Sequence, residues 1–425
     1  MKPARKLQTL QHPQSLLACV RQFLTPEVWK QARAAVPHHR SRPRWDLQPL
    51  VMIVLAMTWA AGDSQPEKFE TARGLYVASY QNRALAAGVR DQIRQHYAER
   101  LLIDGFEPMG CDGARIECPR TAELEARLRL AGKEDSAPTV WVTAFVHLAL
   151  GLLWSWRVGP GTADERLPLR QMLATLSPQA LIVADAAYMG YELARAIVQS
   201  RRSFLLRMSS KVSLYTAGGA ELATWTEGLV YYWPVKIREK GLPPLACRLI
   251  RVPAHGQAKH DVWLLTDILD PARLSAKTAA KFYRWRWRNE GVFRIYKRTI
   301  NKLKLSSRTV RLVHREAEAS LLALQLLLAH ADLALRPKRS VGEPAISPRQ
   351  VLMTIRQEMK GAAKPSAGSY RRRLEGCGVE PRVQVSPKAC RVWPRRKPYK
   401  PPAPPVLHTL TDELKALIQK HLDAA

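Results

Sequence analysis

Between residues 104 and 207 the hydrophobic pattern stops recurring at helical spacing and breaks into short apolar runs separated by turn signals. "FEPMGCDGARIECP" is a strand pattern containing Asp112. "TVWVTAFVHLALGLLWSWRVGPG" reads as two further strands joined near Gly151, and "QALIVADAAY" as a short buried strand whose carboxyl end carries Asp185. "ADERLPLRQMLATL" and "GYELARAIVQS" are helical, and "SFLLRMS" is a fifth strand. Three strands, then helix, strand, helix, strand is the order of an α/β domain with a mixed sheet and helices on its faces.

The flanking segments differ in period and composition. Residues 1–103 read as a helical domain: Thr25-Pro26-Glu27 is a helix start, and "HHRSRPRW" from His38 is a basic, proline-broken loop. Such a domain either binds DNA or packs with a charged surface. Residues 104–335 form the α/β domain, with a strand-rich stretch at about 210–268 that reads as an inserted antiparallel subdomain. Ser275 caps the helix that follows it. Residues 336–425 are basic and proline-rich, with helix starts at Ser347-Pro348 and at Thr409 to Asp412 and an extended or disordered "RRKPYKPPAPP" between them. This tail is either a contact to DNA or a partner copy, or a solvated extension.

Charge narrows the function classes. The chain carries 67 Lys and Arg against 36 Asp and Glu, a net +31, which predicts attraction to polyanions, nucleic acid first. A membrane role is disfavoured, because the apolar runs are short or interrupted and the amino terminus lacks a signal-like core. The six cysteines form no C-x2-C pair, and the His38–His39 pair has no other ligand at useful spacing. An intracellular, nucleic-acid-directed protein is the expectation.

The most basic helix pattern, "FYRWRWRNEGVFRIYKR" (282–298), holds a single acid, Glu290. On a regular helix Tyr283, Arg286, Glu290 and Lys297 fall within an arc of about 60°, a stripe about 20 Å long suited to a run of phosphates. Arg294 and Arg298 add positive charge to the same segment. Taken alone, a glutamate among arginines is most often a solvated salt-bridge face, and each aspartate could cap a turn. Together, two strand aspartates and a helix glutamate can converge on two divalent cations. All-oxygen ligands fit magnesium or manganese rather than zinc.

These residues carry a resemblance. "YRWRWRNEGVFRIYK" matches Y-x2-R-x3-E-x6-K, the signature of the IS-four family of insertion-sequence transposases, at Tyr283, Arg286, Glu290 and Lys297. "DGAR" from Asp112 and "DAAY" from Asp185 resemble that family's two aspartate motifs. The likeness covers about 104–330 and includes the strand-rich insertion. It implies an RNase H-like fold and a DDE site in which Asp112, Asp185 and Glu290 bind two Mg²⁺ or Mn²⁺ ions. Tyr283, Arg286 and Lys297 would then contact phosphates at the transposon end. It also implies cut-and-paste chemistry through a DNA hairpin, acting on terminal inverted repeats and target DNA. The working form would be a homodimer in a synaptic complex, in a bacterial cytoplasm. "WLLT" from Trp263 resembles a segment whose tryptophan stacks on a flipped base; a tryptophan filling a strand's core is the equal alternative. Asn289, where an aliphatic residue is usual, and alanines in the aspartate motifs depart from the pattern. A transposase-derived DNA-binding protein without turnover, or a nuclease that does not join strands, are the rival readings.

Overall fold

The computed structural model describes residues 16–35, 47–60, 82–128, 136–210, 212–219, 221–254, 260–335, 347–359, 369–378 and 403–423. The "HHRSRPRW" loop, Cys390 and most of "RRKPYKPPAPP" lie outside them. By its contacts the chain divides into two compact units. The first comprises 1–101, 113–163 and 288–382, and the second 102–112, 164–287 and 383–425.

A ten-stranded mixed sheet, flanked by helices, runs through the chain. Its strands are β1 (Glu107–Glu117), β2 (Thr139–His147), β3 (Leu152–Pro160), β4 (Ala180–Ala184), β5 (Ser203–Arg207), β6 (Ser213–Thr216), β7 (Glu227–Tyr232), β8 (Leu245–Val252), β9 (Val262–Thr266) and β10 (Val406–Thr409). The order across the sheet is β10-β6-β7-β8-β9-β5-β4-β1-β2-β3. β1 to β5 arise where the apolar runs predict them. β2 is buried along its whole length and β4 likewise, as expected of strands covered on both faces. Gly151 turns β2 into the antiparallel β3 at φ 70°, a conformation that favours glycine.

In the second unit β4 pairs in parallel with both β1 and β5. β5 then pairs antiparallel with β9, β9 with β8, and β8 with β7. The strand-rich stretch 210–268, expected as an inserted subdomain, therefore continues the same sheet beyond β5. Its link is β9, whose Leu264, Leu265 and Thr266 face Arg207, Leu206 and Leu205. β10, a strand absent from the sequence expectation, pairs in parallel with β6 from Val406 to Thr409, and a helix Asp412–Asp423 follows it.

In the first unit the 26-residue helix Val310–Leu335 is the central element, about 39 Å long. It packs on β3 and on helices Leu47–Trp59, Asn82–His96 and Pro348–Met359. Several of its contacts are made by buried polar groups. The Gln325 amide donates to the Leu153 and Trp154 carbonyls of β3 (3.1 and 3.2 Å), and the Trp156 indole donates to Glu318 (2.6 Å). The Trp59 indole donates to the Ala323 carbonyl (3.1 Å). Thr25 and Ser275 cap their helices through hydroxyls that accept from Val28 N and Thr278 N. The five described cysteines are buried free thiols, and no described helix is long and apolar enough to cross a membrane.

Candidate active site

Asp112 and Asp185 come from neighbouring parallel strands of the second unit. The β1–β4 register pairs Glu107 with Ala180 and Gly110 with Val183. Carried two residues further, it sets Asp112 level with Asp185. Adjacent strands lie about 4.8 Å apart, and residues at one level emerge on the same face. Asp185 sits one residue past the end of β4 in an extended conformation, and its carboxylate accepts from Ala187 N at 2.9 Å, capping a short 3₁₀ turn, Ala186–Tyr188. Both carboxylates are half-buried. Beneath them lie the fully enclosed Cys111 thiol and Tyr188 ring. Burial pushes the acidity of both groups far toward the neutral form, and the Asp112 charge adds to that on each.

The glycine of "DGAR" has a packing role in the first unit. A Cβ at Gly113 would stand 2.4 Å from the Trp141 ring of β2. Trp141 in turn carries the Arg115 guanidinium over its face at 4.5 Å and donates to Thr143.

The signature segment does not form the single regular helix expected of it. One helix, Ala276–Trp285, ends in a turn at Arg286, and a second runs from Trp287 to Arg294 before giving way to a π-helical turn, Ile295–Thr299. At Arg286 the backbone N–H bonds back only three residues, to Tyr283 O at 3.1 Å. The wider turn further on is held by Ile300 N to Ile295 O (3.0 Å) and by the buried Tyr296 hydroxyl on Ser320 (2.8 Å). An i→i+5 turn contains an extra residue, so the 100° spacing that aligned Lys297 with the other three no longer holds.

Tyr283 and Arg286 are brought together and mostly enclosed. The Arg286 guanidinium lies 5.5 Å from the Tyr283 ring and 5.2 Å from that of Trp287, a cation–π arrangement. Glu290, in the first unit, is half-buried, as is Lys297, whereas Arg294 and Arg298 are exposed. Asn289 beside Glu290 is fully buried, and neither its amide oxygen nor its nitrogen has a hydrogen-bond partner.

Two tryptophans lie in contrasting environments. Trp263, the candidate for base stacking, is 8 % exposed in β9, with Arg251 over its ring at 5.7 Å. It fills the strand's core, the alternative left open by the sequence. Trp287, unremarked in the sequence, is 61 % exposed among the arginines of the signature segment. Its apolar ring in a run of positive charge was the available signal.

Among the described residues no three His, Cys, Asp or Glu side chains are close enough together to hold a metal ion. The second unit offers a pair of carboxylates, Asp112 and Asp185. Oxygen donors of this kind suit a hard divalent cation such as magnesium or manganese.

The model of the Transposase DDE domain family matches residues 114–326, half of the 425-residue chain. The chain belongs to that family. The matched segment of this DDE transposase begins two residues beyond Asp112 and contains both Asp185 and Glu290. Among solved structures, the transposase resembles a cryo-EM structure of the piggyBac transposase synaptic complex with hairpin DNA. The identity is 10 %, the coverage 88 % of this chain and 87 % of that one, and the TM-score 0.44. No curated protein sequence matches the chain.

Proposed function

We propose that this DDE transposase excises an insertion sequence of the IS-four type and inserts it elsewhere by a cut-and-paste route. The observation that carries the reading is the β1–β4 register, which sets Asp112 level with Asp185 in a chain of this family. Asp112, Asp185 and Glu290 are the carboxylates assigned to metal. Two magnesium or manganese ions held there would activate the attacking oxygen and stabilise the leaving one.

The phosphoryl steps are successive displacements in which one phosphorus–oxygen bond forms as another breaks. Water first cleaves the phosphodiester at the element's end and frees a 3′-hydroxyl. That hydroxyl attacks the opposite strand to give a hairpin, a second water reopens it, and the same hydroxyl finally joins target DNA. Lys297, Arg294 and Arg298 contact backbone phosphates; Arg286 and Tyr283, both mostly enclosed, are the signature's other assigned contacts to DNA. Trp287, rather than the enclosed Trp263, is the ring available to stack on an unpaired base. The substrate is double-stranded DNA, the terminal inverted repeats and a target site, bridged by two copies of the chain in the bacterial cytoplasm.

The test is an assay of purified protein on DNA carrying the element's own ends, with Mg²⁺, resolved on a denaturing gel. Hairpin-sized and joined products are expected. Nicks without joining would point to a nuclease, and binding without metal-dependent cleavage to a DNA-binding descendant; either result would overturn the reading.

A further inference from the structure

The helix Pro348–Met359 of the first unit divides sharply into a covered and an exposed face. Val351, Leu352 and Ile355 are buried, and the helix packs on Val310–Leu335 and Leu47–Trp59. At about 100° per residue, Arg349, Gln350, Met353 and Gln357 fall within an arc of about 100° on the opposite side. All four are exposed, Met353 by 48 %. Glu358, the helix's one acid, lies off that arc, and Arg373 donates to it. The helix is held in place by Gly378 N, which donates to Gln350 Oε1 at 2.7 Å, and by the Arg356 guanidinium, which donates to the Trp59 carbonyl at 2.7 Å.

A helix face that only meets water is commonly laced with Glu–Lys pairs four residues apart. This one carries an arginine, two amides and a thioether. Such groups read base edges: arginine donates to guanine, glutamine pairs with adenine, and an apolar side chain meets the thymine methyl. The helix is about 18 Å long, and the major groove of B-DNA, about 12 Å wide, admits a helix. An open notch of about 520 Å³ runs along the face. It is lined by Arg349, Met353 and Gln357 and, from the helix Ser369–Glu375 and the residue after it, by Arg373 and Gly376. Arg372, exposed on that second helix, adds a positive charge suited to a flanking phosphate. With a net +31 over the chain, charge favours DNA over a protein partner at this face.

We propose that the exposed face of the helix Pro348–Met359 enters the major groove of the element's terminal repeats and reads their bases through Arg349, Met353 and Gln357, with Arg372 on a phosphate. The inference rests on the reading of the chain as a transposase that binds the ends of its own element. It adds the segment that selects those ends, outside the matched residues 114–326.

The experiment is a gel-shift titration of the full-length protein, without divalent metal and at one fixed salt concentration. It compares a duplex carrying the element's terminal repeat with a scrambled duplex of equal length and composition. Wild type is expected to prefer the repeat. Arg349→Ala and Gln357→Ala are each expected to lower that preference by about 10-fold, with melting temperatures unchanged. Arg372→Ala is expected to weaken binding to both duplexes alike. Should Arg349→Ala and Gln357→Ala keep the wild-type preference, or weaken both duplexes alike, the helix does not read bases and the inference is overturned, while the preference of wild type upholds end binding. Should wild type itself show no preference, end recognition fails and the inference with it.

Discussion

Asn289 pays for its position with an amide that meets no partner inside the first unit. Leaving such a group unsatisfied costs about 1–3 kcal/mol, and an apolar side chain of similar size avoids that cost. Asn289→Leu is therefore expected to stabilise the protein by about 1–3 kcal/mol in chemical denaturation; a loss of stability would contradict the reading. His147 and His330 set a pH limit. Burial lowers the folded-state pKa of His147 to about 4 and that of His330 to about 3. His147 is held neutral by its two bonds: Nε2 donates to the Leu101 carbonyl at 3.0 Å and Nδ1 accepts from Leu150 N at 3.3 Å. Unfolded, both imidazoles take up a proton near pH 6.5, so between that value and pH 4 the unfolded chain binds more protons. Stability is full above pH 6.5 and falls as pH drops through the window, by about 2 kcal/mol for each histidine at pH 5. Denaturation curves at pH 7 and 5 check this, with His147→Asn expected to flatten the dependence. At this scale the sequence places Asp112 within a strand and Asp185 at the end of one, where the structure has them, and a carboxylate there conflicts with its apolar surroundings.

The elements show where local pattern suffices and where pairing decides. β1 to β5 follow from apolar runs and their turn signals. β10, a four-residue strand directly following a proline-rich run, carries no such signal and exists because β6 offers it an edge. The break at Arg286 and the π turn at 295–299 likewise leave the hydrophobic period intact and come from packing, Tyr296 on Ser320 among it. The tryptophans test the element-level account. Trp263→Ala removes a buried ring from β9 and is expected to cost about 3–5 kcal/mol of stability. Trp287→Ala is expected to change stability by no more than about 0.5 kcal/mol yet weaken binding to DNA with an unpaired end base by about 1–3 kcal/mol. Fluorescence-monitored denaturation and a gel-shift titration separate the two. The reverse pattern would return the stacking role to Trp263.

For the whole molecule, the net charge of +31 was legible from composition alone and sets the class of partner. If Arg286, Arg294, Lys297 and Arg298 each neutralise a phosphate, a log–log plot of affinity against salt should fall with a slope of about −3 to −4 or steeper. A flat plot would contradict an electrostatic grip on DNA. The central claim is that Asp112, Asp185 and Glu290 act together in cutting DNA that the basic residues bind. The most direct measurement compares end binding and Mg²⁺-dependent cleavage in Asp112→Asn, Asp185→Asn and Glu290→Gln, each made singly. The account predicts that all three retain binding and lose cleavage by at least about 1,000-fold, as expected when a metal-held displacement loses a ligand. A variant that cleaves like wild type would remove its residue from the site, and three such variants would contradict the account.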